Sequence, residues 1–178
     1  MKPDVISSFL IFFLSMLLPI TIEPNPILHK ISKTLTLDEI KSKKIKDFIA
    51  DLTETMYVKD GVGIAAVQVG QPLQLCVIAK NFTPRKDKNL ILINPHWEKA
   101  SILREWDEEG CLSVPNIYGS VRRHKKIKVR ALDEDGEELK FVAADFFARI
   151  IQHEIDHING ILFIEKAKKL RDLGEKQI

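Results

Sequence analysis

The sequence predicts a single small α+β domain, in which antiparallel strands pack around a central helix. The predicted elements run in the order helix, several strands, helix, which favours an α+β domain over alternating βαβ units. The turn sequence Asp133-Glu134-Asp135-Gly136 separates two apolar runs and indicates a β-hairpin, the short antiparallel connection. A length of 178 residues is sufficient for one domain with its own core.

The first helix is predicted over residues 38–58, because apolar side chains recur there at helical spacing with charged residues between them. The apolar, β-branched runs at 74–80 and 90–94 predict two strands. Residues 127–132 and 138–142 are the predicted arms of the hairpin.

A second helix is predicted over residues 144–158, where Asn159-Gly160 ends it. Its apolar side chains are spread around nearly the whole circumference, and a helix that is apolar all round is buried. These residues are Phe146, Phe147, Ile150, Ile151, Ile155 and Ile158. A short terminal helix is predicted over residues 166–172.

The composition is that of an ordinary globular protein, with 45% hydrophobic and 29% charged residues. The net charge of +2 gives no nucleic-acid signature. The two cysteines lie in different settings: Cys76 is in an apolar run, and Cys111 is in a polar loop. A buried structural thiol and a separate functional thiol fit a reducing compartment better than a disulfide does.

The uncharged segment 5–22 leaves three interpretations open. A membrane span needs about 20 apolar residues, and Pro19 and several serines interrupt this run. A secretory signal would carry a cleavage site of small residues, which is missing, and Asp4 lies among the leading residues. The third interpretation, which we favour, is that translation begins at Met16.

The predicted second helix carries His153 and His157, which lie one turn apart on the same face, so both imidazoles can reach one metal ion. Glu154 is offset by one residue and is positioned to act as a general base in metal-assisted hydrolysis. The alternative is a set of surface polar residues at a helix end. Ionisable groups on a buried helix are costly unless they are paired or coordinated, which favours the metal site.

A catalytic metal site needs a third protein ligand and an open position for water. Cys111 follows Gly110, which permits a tight turn, and its other possible roles are nucleophile or inert thiol. With the helix motif present, a thiolate ligand is the favoured role. His29 and His124 lie beside lysines and are expected to be exposed, and His96 is expected to be structural.

The glycine-rich segment 61–70 lacks the Lys-Ser/Thr of a phosphate loop, and a helix rather than a strand precedes it. Gln68 is the one polar side chain in an apolar run, and a buried amide needs a hydrogen-bond partner. Taken alone, the segment favours a strand that packs in the core, with the amide of Gln68 hydrogen-bonded there.

Three segments together resemble the peptide deformylase family: Gly-x-Gly-x-Ala-Ala-x-Gln, Glu-Gly-Cys-Leu-Ser and Gln-His-Glu-x-Asp-His, in this order. They correspond here to residues 61–68, 109–113 and 152–157, and all three match in full. The resemblance covers residues 22–166 and has one departure, Val67, where the family most often has proline. It implies an extension at 1–21, a catalytic domain at 22–166 and a tail at 167–178.

The resemblance implies removal of the formyl group from N-formyl-methionyl peptides. Cys111, His153 and His157 would bind one divalent metal ion, so that the central helix is the metal-binding one. Glu154 would take a proton from the attacking water and pass it to the leaving amine. Gln68 and the main-chain N–H of Leu112 would hold the oxyanion. The positions that match the family's substrate contacts are Val62, Gly63, Gly110, Phe146 and Ile150.

Iron(II) is the expected metal, and one thiolate with two imidazoles also accommodates zinc, nickel or cobalt. We expect a cytoplasmic monomer that meets its substrate near the nascent-chain exit of the ribosome, although the apolar leader leaves membrane association or organelle targeting open. The rival functions are a zinc peptidase, a structural metal site and a cysteine hydrolase. A structural site would need neither Gln68 nor Glu154.

The carboxylate of Asp156 also needs a cation if the second helix is buried. Arg122 and Arg123 follow Cys111 closely in the chain, and the resemblance makes Arg123 the better candidate. An Asp156–Arg123 ion pair is therefore expected to support the helix. The alternative is that Asp156 points to solvent at the helix end.

Overall fold

The computed structural model describes residues 16–174 and places in them four α-helices and eight strands. The helices are α1 (Leu37–Lys41), α2 (Lys43–Val58), α3 (Asp145–Ile158) and α4 (Phe163–Lys166). The strands are β1 (Gly63–Ala65), β2 (Leu75–Ile78), β3 (Leu90–Lys99), β4 (Arg104–Cys111), β5 (Val114–His124), β6 (Lys126–Leu132), β7 (Glu138–Ala144) and β8 (Lys168–Asp172). Short 3₁₀ turns cover Pro26–His29, Ala66–Val69 and Lys80–Phe82.

The strands form two antiparallel sheets, with the orders β1-β2-β3-β6-β7 and β4-β5-β8. The predicted hairpin is present: Leu132 pairs with Glu138, and the turn between them closes through a hydrogen bond from Gly136 N to Asp133 O at 3.1 Å. Gly136 has a φ of 82°, which glycine adopts at little cost. The α+β class predicted from the sequence is confirmed.

The five-stranded sheet is buried on both faces at β1, β2 and the start of β3, because alternate side chains there enter different cores, whereas β6 and β7 expose every second side chain on one face. Val77 and Ile91 pack in one core with Leu52 and Met56 of α2. On the other face of the sheet, Cys76, Ile78 and Leu92 pack against apolar side chains of α3. Helix α3 also contacts β5 of the three-stranded sheet, so it meets strands of both sheets. Side chains on α3 can therefore lie between the two sheets.

The predicted first helix is divided at Ser42, whose extended backbone (φ −67°, ψ 145°) ends α1 and starts α2. The Ser42 side chain accepts a hydrogen bond from the N–H of Ile45, so it satisfies one of the free donors of the new helix. Apolar periodicity continues through this point, and the periodicity could not reveal the break.

The prediction of a terminal helix over residues 166–172 was wrong. Lys168–Asp172 form β8, which pairs antiparallel with β5 through Ile117 and Asp172. The five β8 side chains are exposed, so the hydrogen bonds to the β5 edge, and no buried face, decide its conformation.

The described part of the N-terminal segment lies against the domain. Leu18 and Ile20 pack on the core beside α2, and the N–H of Leu18 donates to Thr55 Oγ1 at 2.9 Å. The interpretations offered for the leader fall largely on residues 1–15, which are outside the described residues, and the boundaries at 21 and 166 stay predictions. Between residues 16 and 174, no helix is both long and apolar enough to cross a membrane.

Candidate metal centre and active site

Helix α3 and the end of β4 bring three potential metal ligands together. The ligand atoms of Cys111, His153 and His157 all lie within 4.8 Å of one another. The Nε2 atoms of the two histidines are 3.2 Å apart, and Cys111 Sγ is 3.2 Å from His157 Nε2. The two-histidine spacing on α3 therefore does place both imidazoles at one point, as its helical period requires.

Cys111 reaches this point because the β4–β5 connection is tight. The register shifts between Gly110 and Cys111, and Cys111 pairs directly with Val114. A Cβ atom on Gly110 would lie 2.7 Å from Cε1 of Tyr118 on β5, a separation that real side chains do not tolerate. Glycine at this position therefore allows β5 to pass close to the turn that carries the cysteine.

The donor set fits a divalent transition metal. Burial opposes ionisation of the Cys111 thiol, but His157 and His153 lower its pKa well below the usual value. A thiolate with two imidazoles is a ligand set that suits iron(II), zinc, nickel or cobalt, and three protein ligands leave a position for water. A disulfide does not compete for the sulfur, since Cys76 and Cys111 are both free and Cys76 is buried in the core.

Glu109 lies behind the ligands and organises them, a role that the sequence analysis did not assign. Its Oε2 is 3.0 Å from Nδ1 of His153, on the far side of the ring from the ligand nitrogen. Burial would raise the pKa of Glu109, but hydrogen bonds from Arg123 and His153 hold it below its usual range. Glu109 is therefore a carboxylate that orients the imidazole.

Arg149 was also missed, because arginines on a helix are usually exposed. Its side chain is 7% exposed and donates to Glu109 Oε1 at 2.7 Å. Two further donations go to the main-chain carbonyls of Val121 and Glu105, at 3.1 and 3.0 Å. Arg149 thus joins α3 to β4 and β5 behind the metal ligands.

The expected ion pair between Arg123 and Asp156 is present. The guanidinium of Arg123 makes two hydrogen bonds to Glu109, at 2.9 and 2.8 Å, and also donates to Asp156. Lys166 of α4 supplies a second cation to Asp156, at 2.6 Å. Asp156 therefore points into the protein and not to solvent.

Glu154 lies on the pocket side of α3 and is 3% exposed. Burial raises the pKa of its carboxyl group to about 7. A Cβ atom on Gly63 would lie 2.5 Å from Glu154 Oε1, so glycine in β1 makes room for the carboxyl group. Within residues 16–174, Glu154 Oε2 is a buried oxygen with no hydrogen-bond partner, and Glu154 as a residue lines the pocket described below.

Gln68 lies in the Ala66–Val69 turn and not in the core strand that its segment favoured on its own. Its Oε1 accepts a hydrogen bond from the N–H of Ala65 at 2.8 Å. This contact turns Nε2 towards Cys111 Sγ at 3.4 Å and Ser113 Oγ at 3.3 Å. The amide is thus fixed with its donor end facing the metal ligands.

A pocket of about 490 Å³ opens onto these groups. Its lining includes two of the potential ligands, Cys111 and His153, together with Glu154 and Gln68. It also includes every other position that the sequence analysis assigned to substrate or oxyanion: Val62, Gly63, Gly110, Leu112, Phe146 and Ile150.

The remaining histidines lie outside the cluster. His29 is exposed and contacts Glu23 at 3.0 Å, and His96 is exposed on β3. The expectation that His124 is exposed was wrong: it is 9% exposed, and its ring Nδ1 lies 3.2 Å from the Ser101 carbonyl oxygen. His124 is buried because β5 lies in the sheet beside α3, although its neighbours in the sequence are polar.

Comparison with known proteins decides the family. The family model described as polypeptide deformylase matches residues 17–172. The chain belongs to the peptide deformylase family. A peptide deformylase of Syntrophomonas wolfei is 44% identical over 149 residues, which cover 83% of this chain and 91% of that protein. A peptide deformylase of Brucella suis is 39% identical over 155 residues, or 86% of each chain.

The fold agrees with solved deformylase structures. The Met-Ala-Ser-bound class I type b peptide deformylase of Acinetobacter baumannii superposes with a TM-score of 0.80 at 35% identity, covering 86% of this chain and 99% of that one. This deformylase is therefore a metal-dependent hydrolase that removes the N-formyl group from the N-terminal methionine of newly made polypeptides. The peptidase, structural-site and cysteine-hydrolase alternatives are set aside.

Proposed function

We propose that Cys111, His153 and His157 together hold the catalytic metal ion of this deformylase, and that the native ion is iron(II). The observation that carries the proposal is that the three ligand atoms meet within 4.8 Å of one another, and that Cys111 and His153 line the pocket. The mixed sulfur and nitrogen donors also accept zinc, nickel or cobalt. Iron(II) is the metal that the family resemblance favours.

The ion, when bound by these three residues, would supply Lewis-acid chemistry that lowers the pKa of water towards about 7. Glu154 is the proposed general base. Its buried Oε2 is unpaired within the described residues, and burial raises its pKa to about 7, near neutral working pH. Glu154 takes the proton of the attacking water and delivers it to the amine nitrogen that leaves with the peptide.

Gln68 Nε2 and the main-chain N–H of Leu112 are the proposed donors to the oxyanion that develops on the formyl oxygen. The hydrogen bond from Ala65 N to Gln68 Oε1 supports this role, because it fixes the amide before substrate binds. Donors that are fixed in advance require no rearrangement during the reaction, and one such donor is typically worth about 3–4 kcal/mol.

The substrate is proposed to place its methionine side chain against Val62, Phe146 and Ile150, and its main chain against Val62, Gly63 and Gly110. All of these residues line the pocket. The Met-Ala-Ser complex of the related Acinetobacter enzyme supports a peptide occupant that begins with methionine. Asp156 and Arg123 are proposed to support α3 from behind the ligands.

We propose further that the enzyme acts as a cytoplasmic monomer near the ribosomal exit of the nascent chain. Two free thiols, Cys76 and Cys111, are typical of a reducing compartment. Substrates that carry a formyl group are new chains, so the encounter takes place close to their synthesis.

Anaerobic purification with metal analysis, followed by assays on matched formylated and unformylated peptides, tests these proposals. We expect one iron per chain, and hydrolysis of the formylated peptide alone. A metal-loaded protein that cleaves the unformylated peptide at the same rate would contradict the assignment of the site.

A further inference from the structure

The segment before the first 3₁₀ turn makes two main-chain contacts beside the pocket, one with a lining residue and one with the neighbour of lining residues. We call residues 18–23 the N-terminal strap. The N–H of Thr21 donates to the carbonyl oxygen of Gln68 at 2.7 Å, and the N–H of Glu23 donates to the carbonyl oxygen of Ser113 at 2.9 Å. The strap therefore contacts the residue that carries one proposed oxyanion donor and the residue next to the other, Leu112.

The two segments that the strap joins come from different parts of the fold. Gln68 lies in the Ala66–Val69 turn, whereas Leu112 and Ser113 connect β4 to β5. Across residues 16–174, no main-chain hydrogen bond outside the regular helices and strands links these two segments directly. Their direct polar contacts run from Gln68 Nε2, the donor that the reaction needs, to Ser113 Oγ and Cys111 Sγ.

The strap is itself held at both ends. Leu18 and Ile20 pack on the core beside α2, and the N–H of Leu18 donates to Thr55 Oγ1. At the other end, the carboxylate of Glu23 lies 3.0 Å from Nε2 of His29. A segment that is anchored before its first contact and at its second contact resists being displaced when the pocket fills.

We propose that the strap is a positioning element for catalysis, setting the separation between Gln68 Nε2 and the N–H of Leu112. This inference rests on the proposed roles of these two groups. An oxyanion must meet both donors at hydrogen-bond distance at once, so a small displacement of either segment weakens its stabilisation. Thr21 and Glu23 are positioning residues that act through Gln68 and Leu112 and do not touch the substrate.

The strap donors can be removed singly by replacing a residue with its α-hydroxy acid during cell-free translation. This substitution keeps the side chain, turns the N–H into an ester oxygen and weakens the preceding carbonyl oxygen as an acceptor. At Glu23 that carbonyl is Ile22 O, which accepts from Asn25 N at 3.1 Å, so the Thr21 ester is the cleaner test. The substitution is made at Thr21, at Glu23 and, as a matched control, at Ile22, whose N–H makes no main-chain hydrogen bond within residues 16–174. Each protein is loaded with metal, and its metal content, thermal melting, kcat and KM for a formyl-methionyl peptide are measured.

We expect the Thr21 and Glu23 esters to lower kcat about five-fold each, the size of one lost neutral hydrogen bond. KM and metal content should stay unchanged, and the Ile22 ester should match the unmodified protein. In a Gln68→Ala background, the Thr21 ester should have no further effect on kcat. If the Thr21 ester does not fold, the Glu23 ester provides an independent measurement.

Two results would overturn the positioning role. One is an unchanged kcat with a lowered melting temperature, which is the signature of a merely structural strap. The other is an equal loss of kcat with and without the Gln68 side chain, because the strap would then not act through it. Full activity of Gln68→Ala alone would instead remove Gln68 from the mechanism, so the two failures are distinguishable.

Discussion

Glu109 Oε2 lies 3.0 Å from Nδ1 of His153, so a buried carboxylate contacts the ligand imidazole on the side opposite the metal position. A carboxylate in this place keeps the proton on Nδ1 and leaves the Nε2 lone pair directed at the other ligands. Arg123 and Arg149 hold the carboxylate from behind. The orientation of His153 therefore depends on a network that reaches from β4 through β5 to α3.

Glu109→Gln should weaken metal binding by about 10- to 100-fold, the usual effect of removing a carboxylate behind a ligand histidine. The amide keeps the size of the side chain but loses the charge that both arginines contact. Competition against a chelator measures the metal affinity. Glu138→Gln, at an exposed position on β7, is the matched control and should bind metal normally. An unaltered affinity in Glu109→Gln would show that the contact is dispensable.

Cys111→Ala, His153→Ala and His157→Ala should each lose metal and deformylase activity together, because each removes one of three ligand atoms that meet at one point. Metal analysis and the deformylation assay are carried out on the same preparations. Cys76→Ala removes the other thiol, which is buried in the core and is not one of the three clustered ligands, and should keep its metal. Cys111→Ala with full metal content and full rate would refute the ligand assignment.

Glu154→Gln is nearly isosteric with the wild type but cannot accept a proton from water. The variant should keep its metal and fold and lose about 10²- to 10⁴-fold in kcat, the usual range for general acid–base catalysis. Glu165→Gln, on the exposed side of α4, serves as the control for the same chemical change. A rate within a few-fold of the wild type in Glu154→Gln would exclude the residue as the base.

The sequence predicted the parts of the site that depend on local spacing and left out those that depend on tertiary contact. His153 and His157 share a helix, so helical geometry alone brings them together. The contact of Glu109 with His153 joins residues 44 positions apart, and no local pattern encodes it. The role of Arg149 could not be predicted for the same reason, since its guanidinium meets its hydrogen-bond acceptors only in the folded protein.

Among the strands, too, those with a local sequence signal were predictable and those that depend on tertiary contact were not. The hairpin of β6 and β7 was predictable because its turn residues and apolar runs are contiguous. Strand β4 carries the charged sequence Arg104-Glu105-Trp106-Asp107-Glu108-Glu109, and five of its eight residues are exposed. It has no apolar alternation to signal a strand, and its pairing with β5 decides its conformation.

The buried ion pair between Arg123 and Asp156 is expected to fix α3 and, through it, the angle of both imidazoles. The side chains are 5% and 9% exposed, and removing one partner of a buried pair typically costs about 3–5 kcal/mol. A double-mutant cycle on Asp156→Asn and Arg123→Gln should therefore show a coupling free energy of unfolding of about 0.5–3 kcal/mol. Urea unfolding of the metal-loaded proteins measures it, and kcat/KM should fall in both single variants.

Lys166 provides the matched comparison, because it contacts the same carboxylate but its side chain is 39% exposed. A cycle on Asp156→Asn and Lys166→Gln should give a smaller coupling, of at most about 1 kcal/mol, as solvent screens the charge. Strictly additive losses for Asp156 and Arg123 would mean that their contact contributes nothing. Equal coupling in the two cycles would mean that the difference in burial between Arg123 and Lys166 has no effect on their interaction with Asp156. Lys166 of α4 would then support α3 as much as Arg123 of β5 does.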